Sequence, residues 1–384
     1  MAAKILLVDD EPDFELLVRK QLRKHIQAGE FEFVFANSGV DALKKLEADS
    51  SVELVMTDIN MPEMDGLTLL SKLNESNTLL RAVIISAYGD MANIRTAMNR
   101  GAFDFLTKPI DFQDLEITIR RTLQELAALK EAARARVKLT SLENELNVAR
   151  EIQQSILPRD FSMFSDRANF TIHAEMQPAR EVGGDFYDFF LIDPNRVGFV
   201  IADVSGKGVP AAIFMAMTRA LLKSTAMKGG PPSACLQDIN NALFRDNGRS
   251  MFVSVMYGVL NIHTGEIIYC NAGHNPPMLL SGGKVEPLEK VGGIVCGAIF
   301  DSTYDEKKIK LQHGNVLFLY TDGVTEAMDS DENLFSEPRL IEILQATKAT
   351  SPAALIEEVF QAVETFAGDA PQADDITAMA IKFG

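Results

Sequence analysis

The feature that most limits how this chain can fold is a recurring one: short, strongly apolar runs that stop on an aspartate. KILLVDD brings Asp9 and Asp10 to the end of such a run, ELVMTD brings Asp58, VGFVIAD brings Asp203 and VLFLYTD brings Asp322. Runs of this length and composition read as buried strands, so each acid falls at the rim of a sheet. A carboxylate there loses hydration and needs a cation or several N–H donors in return. The acids form two sets far apart in the chain. Asp9, Asp10 and Asp58 lie near the N-terminus, and Asp185, Asp203, Asp322 and the Asp374–Asp375 pair lie in the C-terminal half. Oxygen-only ligands suit Mg²⁺ or Mn²⁺ rather than Zn²⁺. The pattern therefore predicts two sheet-based domains, each with a divalent-metal site and phosphate chemistry.

Length agrees, since 384 residues exceed one ordinary domain and leave room for a linker. In the first third, the strand-like runs Ile5–Val8, Phe31–Ala36, Leu54–Thr57, Ala82–Ser86 and Phe103–Leu106 alternate with helical patterns such as Phe14–His25, Val40–Glu47 and Ala92–Arg100. Strict alternation implies a parallel sheet covered by helices on both faces, with functional groups outside the C-terminal strand ends. Asp9, Asp10, Asp58, Ser86 and Lys108 all fall at such ends. In that cluster Asp58 is the candidate nucleophile for an aspartyl phosphate, and Lys108 supplies a point charge for phosphoryl oxygens. Ser86 can hydrogen-bond one of those oxygens, and Phe105 could turn inward when it does.

The segments VDDE, MTDINMPEMDG, IISAYGD and DFLTKP resemble the marks of two-component receiver domains of the CheY-like fold. The resemblance implies a doubly wound five-stranded parallel sheet of order 2-1-3-4-5 over residues 1–124. It makes Asp58 the phosphorylation site and gives Mg²⁺ to Asp10, Asp58 and the Asn60 carbonyl, with Asp9 nearby. Ser86 and Lys108 become phosphate sensors, Phe105 the switch aromatic, and a cognate histidine kinase the phosphoryl donor.

Between Asp111 and Leu157 there is neither Gly nor Pro, and Leu, Ala, Glu, Arg and Lys dominate. These are strong helix formers. Leu115, Ile119, Thr122, Leu126, Leu129 and Ala133 follow four- and three-residue spacing; Leu139, Leu142, Leu146, Ala149, Ile152 and Ile156 repeat it in another phase, with the shift across Arg134–Lys138. Sustained spacing of this kind predicts a coiled-coil linker over residues 125–157 and a parallel homodimer. Pro158 ends the helix.

Residues 158–384 change character. Strand candidates run from Phe170–Met176 through Phe186–Ile192, Gly198–Val204, Phe252–Asn261, Glu266–Cys270, Met278–Ser281 and Val316–Thr321 to Ile376–Ile381. Helices at Ala211–Ala226, Glu337–Ala346 and Pro352–Phe366 are among those between them. That inventory predicts an α+β domain of two stacked sheets flanked by helices. A P-loop, a Rossmann fingerprint and a GxSxG elbow are all missing from the sequence. His173, His263, His274 and His313 lack metal-ligand spacing. The acids remain, and two ions held by strand-end carboxylates can activate water and hold a phosphoryl oxygen without a covalent intermediate.

EIQQSILP, REVGGDFYDF, IADVSGKGVPAAIFMA, NAGHNPP, YTDGVTEA and DDIT resemble, in this order, the bacterial PPM-type serine/threonine phosphatases of the sporulation stage II protein E kind, akin to protein phosphatase 2C. The resemblance implies two Mn²⁺ or Mg²⁺ ions, with Asp203 bridging them. Asp185 (through water) and the Val204 carbonyl would serve one ion, and Asp322 and Asp374 the other, with Asp375 as the alternative to Asp374. Arg180 is the candidate phosphate-binding arginine. Ser205 stands where eukaryotic relatives carry a histidine proposed as general acid. The implied substrate is a phosphorylated STAS-type anti-sigma-factor antagonist. The competing expectation is a phosphorylation-controlled adaptor that binds a sigma-factor regulator and has little phosphatase activity; the intact acid set opposes it.

A net charge of −17 opposes non-specific binding to nucleic acid or an anionic membrane. No apolar run is long enough for a membrane span, and Cys235, Cys270 and Cys296 show no paired spacing. A cytoplasmic setting is expected.

Overall fold

The β/α alternation of the first third persists in the computed structural model, which describes residues 2–75, 80–87, 89–161, 169–245, 247–248 and 250–384. The chain divides into two units, Met1–Ser141 and Leu142–Gly384. In the first, β1 (Ala3–Val8), β2 (Phe31–Ala36), β3 (Leu54–Asp58), β4 (Arg81–Ala87) and β5 (Asp104–Lys108) form one parallel sheet in the order β2-β1-β3-β4-β5. The expected single helix at Phe14–His25 is divided at Leu22 into α1 (Pro12–Gln21) and α2 (Arg23–Gln27). The remaining helices are α3 (Gly39–Ala48), α4 (Gly66–Glu75), α5 (Met91–Asn99) and the start of α6 (Phe112–Ile156).

Side-chain alternation along the strands builds two cores. Ile5, Leu7, Met56, Val83 and Ile85 face Phe14 and Val18 of α1 and Leu115 and Ile119 of α6. Leu6, Val8, Val55 and Ile84 face Ala42, Leu69, Leu70 and Ala97 of α3, α4 and α5. A strand buried on both faces must be apolar throughout, and ILLV and LVM are.

α6 is one helix of 45 residues and continues through Arg134–Lys138, so the phase shift there changes the apolar face without breaking the helix. Residues 131–145 are exposed along its whole circumference, including Val137, Leu139 and Leu142.

In the second unit, β7 (Phe186–Asp193), β8 (Arg196–Val204), β9 (Val253–Asn261), β10 (Glu266–Ala272) and β13 (Lys307–Lys310) make one antiparallel sheet in the order β13-β10-β9-β8-β7. β6 (Phe170–Gln177), β11 (Met278–Ser281), β12 (Lys284–Pro287), β14 (Val316–Tyr320) and β15 (Ile376–Phe383) make the other, in the order β12-β11-β14-β15-β6. Phe199, Ile201, Leu317, Leu319, Met379 and Ile381 belong to one core shared by the two sheets. α7 (Val209–Ala226) and α8 (Pro232–Arg245) pack against the first sheet, while α10 (Ser336–Ala346) and α11 (Pro352–Ala367) cover the second through Leu340, Leu355, Val359 and Val363. The short α9 (Asp322–Thr325) follows β14 directly. The result is two stacked sheets between helical layers.

Candidate functional site

The first acid set stands at the C-terminal rim of the parallel sheet. Single ligand atoms from Asp9, Asp10 and Asp58 lie within 4.8 Å of one another, as a divalent oxygen site requires. Lys108, at the end of β5, reaches into the set: its Nζ is 2.5 Å from Asp58 Oδ2 and 2.9 Å from Asp9 Oδ2, with Glu11 at 3.3 Å. Asn60 donates its main-chain N–H to Asp58 Oδ1 at 3.1 Å. Burial raises the pKa of Asp9. Burial works against the Lys108 charge, but hydrogen bonds to Asp58 and Asp9 outweigh it and hold that pKa above its usual value. The ammonium is thus the resident counter-ion of the acids. Ser86 is fully buried at the end of β4 with Oγ 3.4 Å from Asp90, and Phe105 is turned out, 37% exposed.

The second set gathers at one end of the two antiparallel sheets. Asp203 closes β8, and Asp322 follows β14 at the first position of α9. Asp374 and Asp375 precede β15, which pairs with β14. Asp185 precedes β7, which pairs with β8. Asp185 is almost completely buried and accepts a hydrogen bond from Thr377 Oγ1 at 2.7 Å. Burial first, and the charges of Asp203 and Asp375 after it, push the pKa of Asp185 far up. Burial and then Asp322 push Asp203 up to about 7. Burial, Glu326 and Asp374 raise Asp322. A set that suppresses its own ionisation in this way fits divalent ions.

Asp374 and Asp375 are adjacent in sequence and differ in every contact. Asp375 is buried and accepts main-chain N–H bonds from Ala179 at 2.8 Å and Gly184 at 2.6 Å. It thereby ties down the loop that carries Arg180 and Asp185. The approach is close enough to dictate glycine: a Cβ on Gly183 would lie 2.5 Å from Asp375 Oδ2, and one on Gly323 2.0 Å from the Asp375 carbonyl oxygen. Asp374 instead meets Lys207 Nζ at 2.9 Å, and that lysine also bonds the Ala373 carbonyl. Among the described residues only the receiver acids form a group of three ligand atoms within 4.8 Å, so this second set is the looser one.

Arg180 is exposed on its loop, and Val204 is buried at the end of β8. Ser205 accepts a hydrogen bond from the Phe252 N–H through Oγ, at 2.9 Å. Sequence reasoning missed Lys207, Thr377 and Gln153. Gln153, on the last turn of α6, donates to the Gly183 carbonyl at 2.6 Å and accepts from its N–H at 3.0 Å, while Arg150 donates to the Glu181 carbonyl at 2.8 Å. A lone cation in DVSGKG and a glutamine inside EIQQSILP were the available signals.

Comparison with known proteins agrees with both halves. The stage II sporulation protein E (SpoIIE) profile matches residues 193–384, and the response regulator receiver domain profile matches residues 5–120. Protein IcfG of Synechocystis sp. is 31% identical over 264 residues, covering 62% of this chain and 41% of IcfG. Phosphoserine phosphatase RsbU of Bacillus subtilis is 26% identical over 254 residues, covering 66% of this chain and 74% of RsbU. The chain therefore spans about two fifths of the length of the first relative and three quarters of the second. The SiaA-PP2C domain of Pseudomonas aeruginosa superposes with a TM-score of 0.57 at 22% identity, over 65% of this chain and 98% of that domain. The PP2C phosphatase domain of SpoIIE from Bacillus subtilis, solved with a fragment of its regulatory domain, gives 0.51 at 17% identity, over 56% and 63%. Both share the two-sheet fold.

Proposed function

We propose, for a chain that belongs to the stage II sporulation protein E (SpoIIE) family and carries a response regulator receiver domain ahead of its PPM phosphatase fold, that it is a response regulator whose output is hydrolysis of phosphoserine or phosphothreonine on a protein. The observation that carries the reading is the gathering of Asp185, Asp203, Asp322 and Asp374 at neighbouring strand ends of the two paired sheets, where burial and then one another's charge raise the pKa values of the first three. Such a set is costly without divalent charge and favourable with it.

We assign Asp203 as the bridging ligand, Asp185 and the Val204 carbonyl to one ion, and Asp322 and Asp374 to the other. Asp375 is left out of the ligand set because its oxygens already accept main-chain N–H bonds. When bound, two Mn²⁺ or Mg²⁺ ions supply Lewis-acid charge to phosphoryl oxygens and make water a better nucleophile. Thr377 and Asp375 hold Asp185 and its loop in place. Arg180, exposed on that loop, is assigned to the incoming phosphate. Lys207 shares its charge with Asp374 and is available to the phosphorylated side chain.

In the receiver, Asp58 attacks the phosphorus of a phosphohistidine on a cognate kinase. The new O–P bond forms as the N–P bond breaks; Asp10, Asp58 and the Asn60 carbonyl, with Asp9 nearby, would hold a Mg²⁺ that would supply charge against that of the phosphoryl group. Lys108 and Ser86 then bind phosphoryl oxygens, and Phe105 turns inward. The signal leaves through α6. Gln153 and Arg150 couple its end to the Glu181–Gly183 backbone beside Asp185. The exposed apolar positions Val137, Leu139 and Leu142 support pairing with a second copy, so that a change in helix register alters the order of the metal site. The domain limits 1–124, 125–157 and 158–384 follow this division of labour. No helix among the described residues is long and apolar enough to cross a membrane, and a cytoplasmic setting is part of the proposal.

The proposed substrate is a serine-phosphorylated STAS-type anti-sigma-factor antagonist. RsbU, by its name a phosphoserine phosphatase, supports the chemistry, and the identity of the substrate follows the resemblance. The test is Mn²⁺-dependent phosphate release from such a protein, with and without beryllofluoride. Turnover that responds to beryllofluoride, loses the response in Asp58→Asn and vanishes in Asp203→Asn is the expected result. Absence of turnover together with tight binding of the unphosphorylated partner would favour an adaptor instead.

A further inference from the structure

The crossover from the first antiparallel sheet to the second is the segment NAGHNPP, between β10 and β11. Its histidine, His274, is buried, and the mechanism above makes no use of it. Its main chain is clamped on both sides by Asn271, which accepts from the His274 N–H at 2.7 Å and donates to its carbonyl at 2.9 Å. Its ring is therefore aimed rather than loose. Nδ1 is 2.7 Å from Ser254 Oγ, and Ser254 is the residue paired with Asp203 across β8 and β9. Nε2 is buried and makes no hydrogen bond within the structure, and the Tyr320 main chain is the backbone neighbour that acts on the ring's protonation.

The place of Tyr320 explains why a side chain is needed there. Thr321 donates its N–H to Thr377 on the β15 side, so alternation turns the Tyr320 carbonyl toward β11. Met278 pairs with Phe318, and continuing that register brings Pro276 opposite Tyr320. Proline has no N–H to give. The ladder stops, and an imidazole N–H is the donor at hand. Burial lowers the pKa of His274 to about 4, so the ring is neutral, with one acceptor and one donor nitrogen. The tautomer the inference requires is the one in which Nδ1 accepts from Ser254 Oγ and the proton sits on Nε2.

We infer that His274 is a positioning residue of the phosphatase site: it ties the strand pair that carries Asp203 to the end of the strand that delivers Asp322, and so sets the spacing between ligands supplied by different sheets. This rests on the metal roles assigned above to Asp203 and Asp322. Simple packing would be satisfied by any ring of similar volume; positioning requires the two nitrogens.

The experiment compares wild type with His274→Phe, His274→Gln and Ser254→Ala in the full chain. Mn²⁺ binding is read by electron paramagnetic resonance, and amide exchange at Thr321 is followed by mass spectrometry in EDTA. Loss of an outer-sphere hydrogen bond costs metal affinity about tenfold or more. His274→Phe is expected to bind Mn²⁺ about tenfold more weakly and to exchange faster at Thr321, with Ser254→Ala showing a smaller shift in the same direction. His274→Gln, which keeps an N–H near the position of Nε2, is expected to recover most of both. Wild-type Mn²⁺ affinity and Thr321 exchange in His274→Phe would overturn the inference, as would a Gln variant no better than Phe. If His274→Phe does not fold, unchanged behaviour of Ser254→Ala overturns it. Failure of the metal reading is recognisable separately, as Mn²⁺ binding that Asp203→Asn leaves unchanged; the exchange comparison then still decides whether His274 orders the end of β14.

Discussion

The two acid clusters of this chain solve the same electrostatic problem in opposite ways. Around Asp58 the carboxylates bring their own cation: Lys108 lies within hydrogen-bonding distance of both Asp9 and Asp58. Around Asp203 burial first, and the neighbouring acids after it, raise the pKa values of Asp185, Asp203 and Asp322. Lys207 pairs with Asp374 at the rim. A site that must accept and lose a phosphoryl group gains from a built-in counter-ion, because the acids remain balanced in either state. A site that works through standing divalent charge gains from having none, because each internal cation competes with the metal.

The sharpest way to break this contrast is Asp203→Asn. Removing the proposed bridging ligand should lower Mn²⁺-dependent turnover by about a thousandfold, the rate equivalent of several kcal/mol of Lewis-acid stabilisation. Steady-state phosphate release measures it, and a loss below tenfold would mean that Asp203 does not bridge.

Next comes pH. Asp185, Asp203 and Asp322 bind their protons more tightly in the folded chain than an ordinary carboxyl does. Their contribution to stability is therefore present below the ordinary carboxylate value and is lost as pH rises through the folded-state value. In EDTA, Asp203 should cost the second unit on the order of a few kcal/mol between the ordinary carboxyl value of 3.8 and about 7, read as wild type against Asp203→Asn because the buried His274, lowered to about 4, shifts stability the other way in the same window. Mn²⁺ should abolish or reverse the trend. Calorimetry of both proteins across that range, with and without metal, checks the sign, and a wild-type stability that does not fall relative to Asp203→Asn as pH rises in EDTA would contradict it.

A smaller effect is expected from Gly323→Ala. The new methyl group would meet the Asp375 carbonyl, and both partners are backbone, so neither can rotate away. Overpacking of this kind costs about 1–3 kcal/mol, visible as a lower melting temperature. The smallest is Lys207→Ala. A half-exposed ion pair is worth about 1 kcal/mol or less, so half-saturation by Mn²⁺ should move only a few fold, toward tighter binding. Weaker Mn²⁺ binding would show that Lys207 supports the metal site rather than competing with it.

Much of this was legible in the sequence, for a physical reason. A strand buried on both faces must be apolar, so ILLV, ELVM and VGFVIA announce themselves, and an acid at the end of each is conspicuous. β12 and β13 escaped notice because KVEP and KKIK are short edge strands with exposed, charged residues, which give little apolar signal. The break at Leu22 also left no mark, since the apolar spacing continues across it. Within the site, neither composition nor spacing separates Asp374 from Asp375. Their difference comes from which main-chain N–H groups a loop nearly two hundred residues earlier presents to one of them. Gln153 and Lys207 were hidden for the same reason, because their partners are backbone atoms distant in the chain.

The pairing of β14 with β15 has a practical consequence. Asp322 and Asp374 flank the same ladder end, closed by Thr321 N–H to the Thr377 carbonyl and by Thr377 N–H to Thr321 Oγ1 at 3.0 Å. If that end unzips by two residues, two of the proposed ligands leave together. The exchange lifetimes of the Thr321 and Thr377 amides thus serve as a clock for site integrity, readable without substrate.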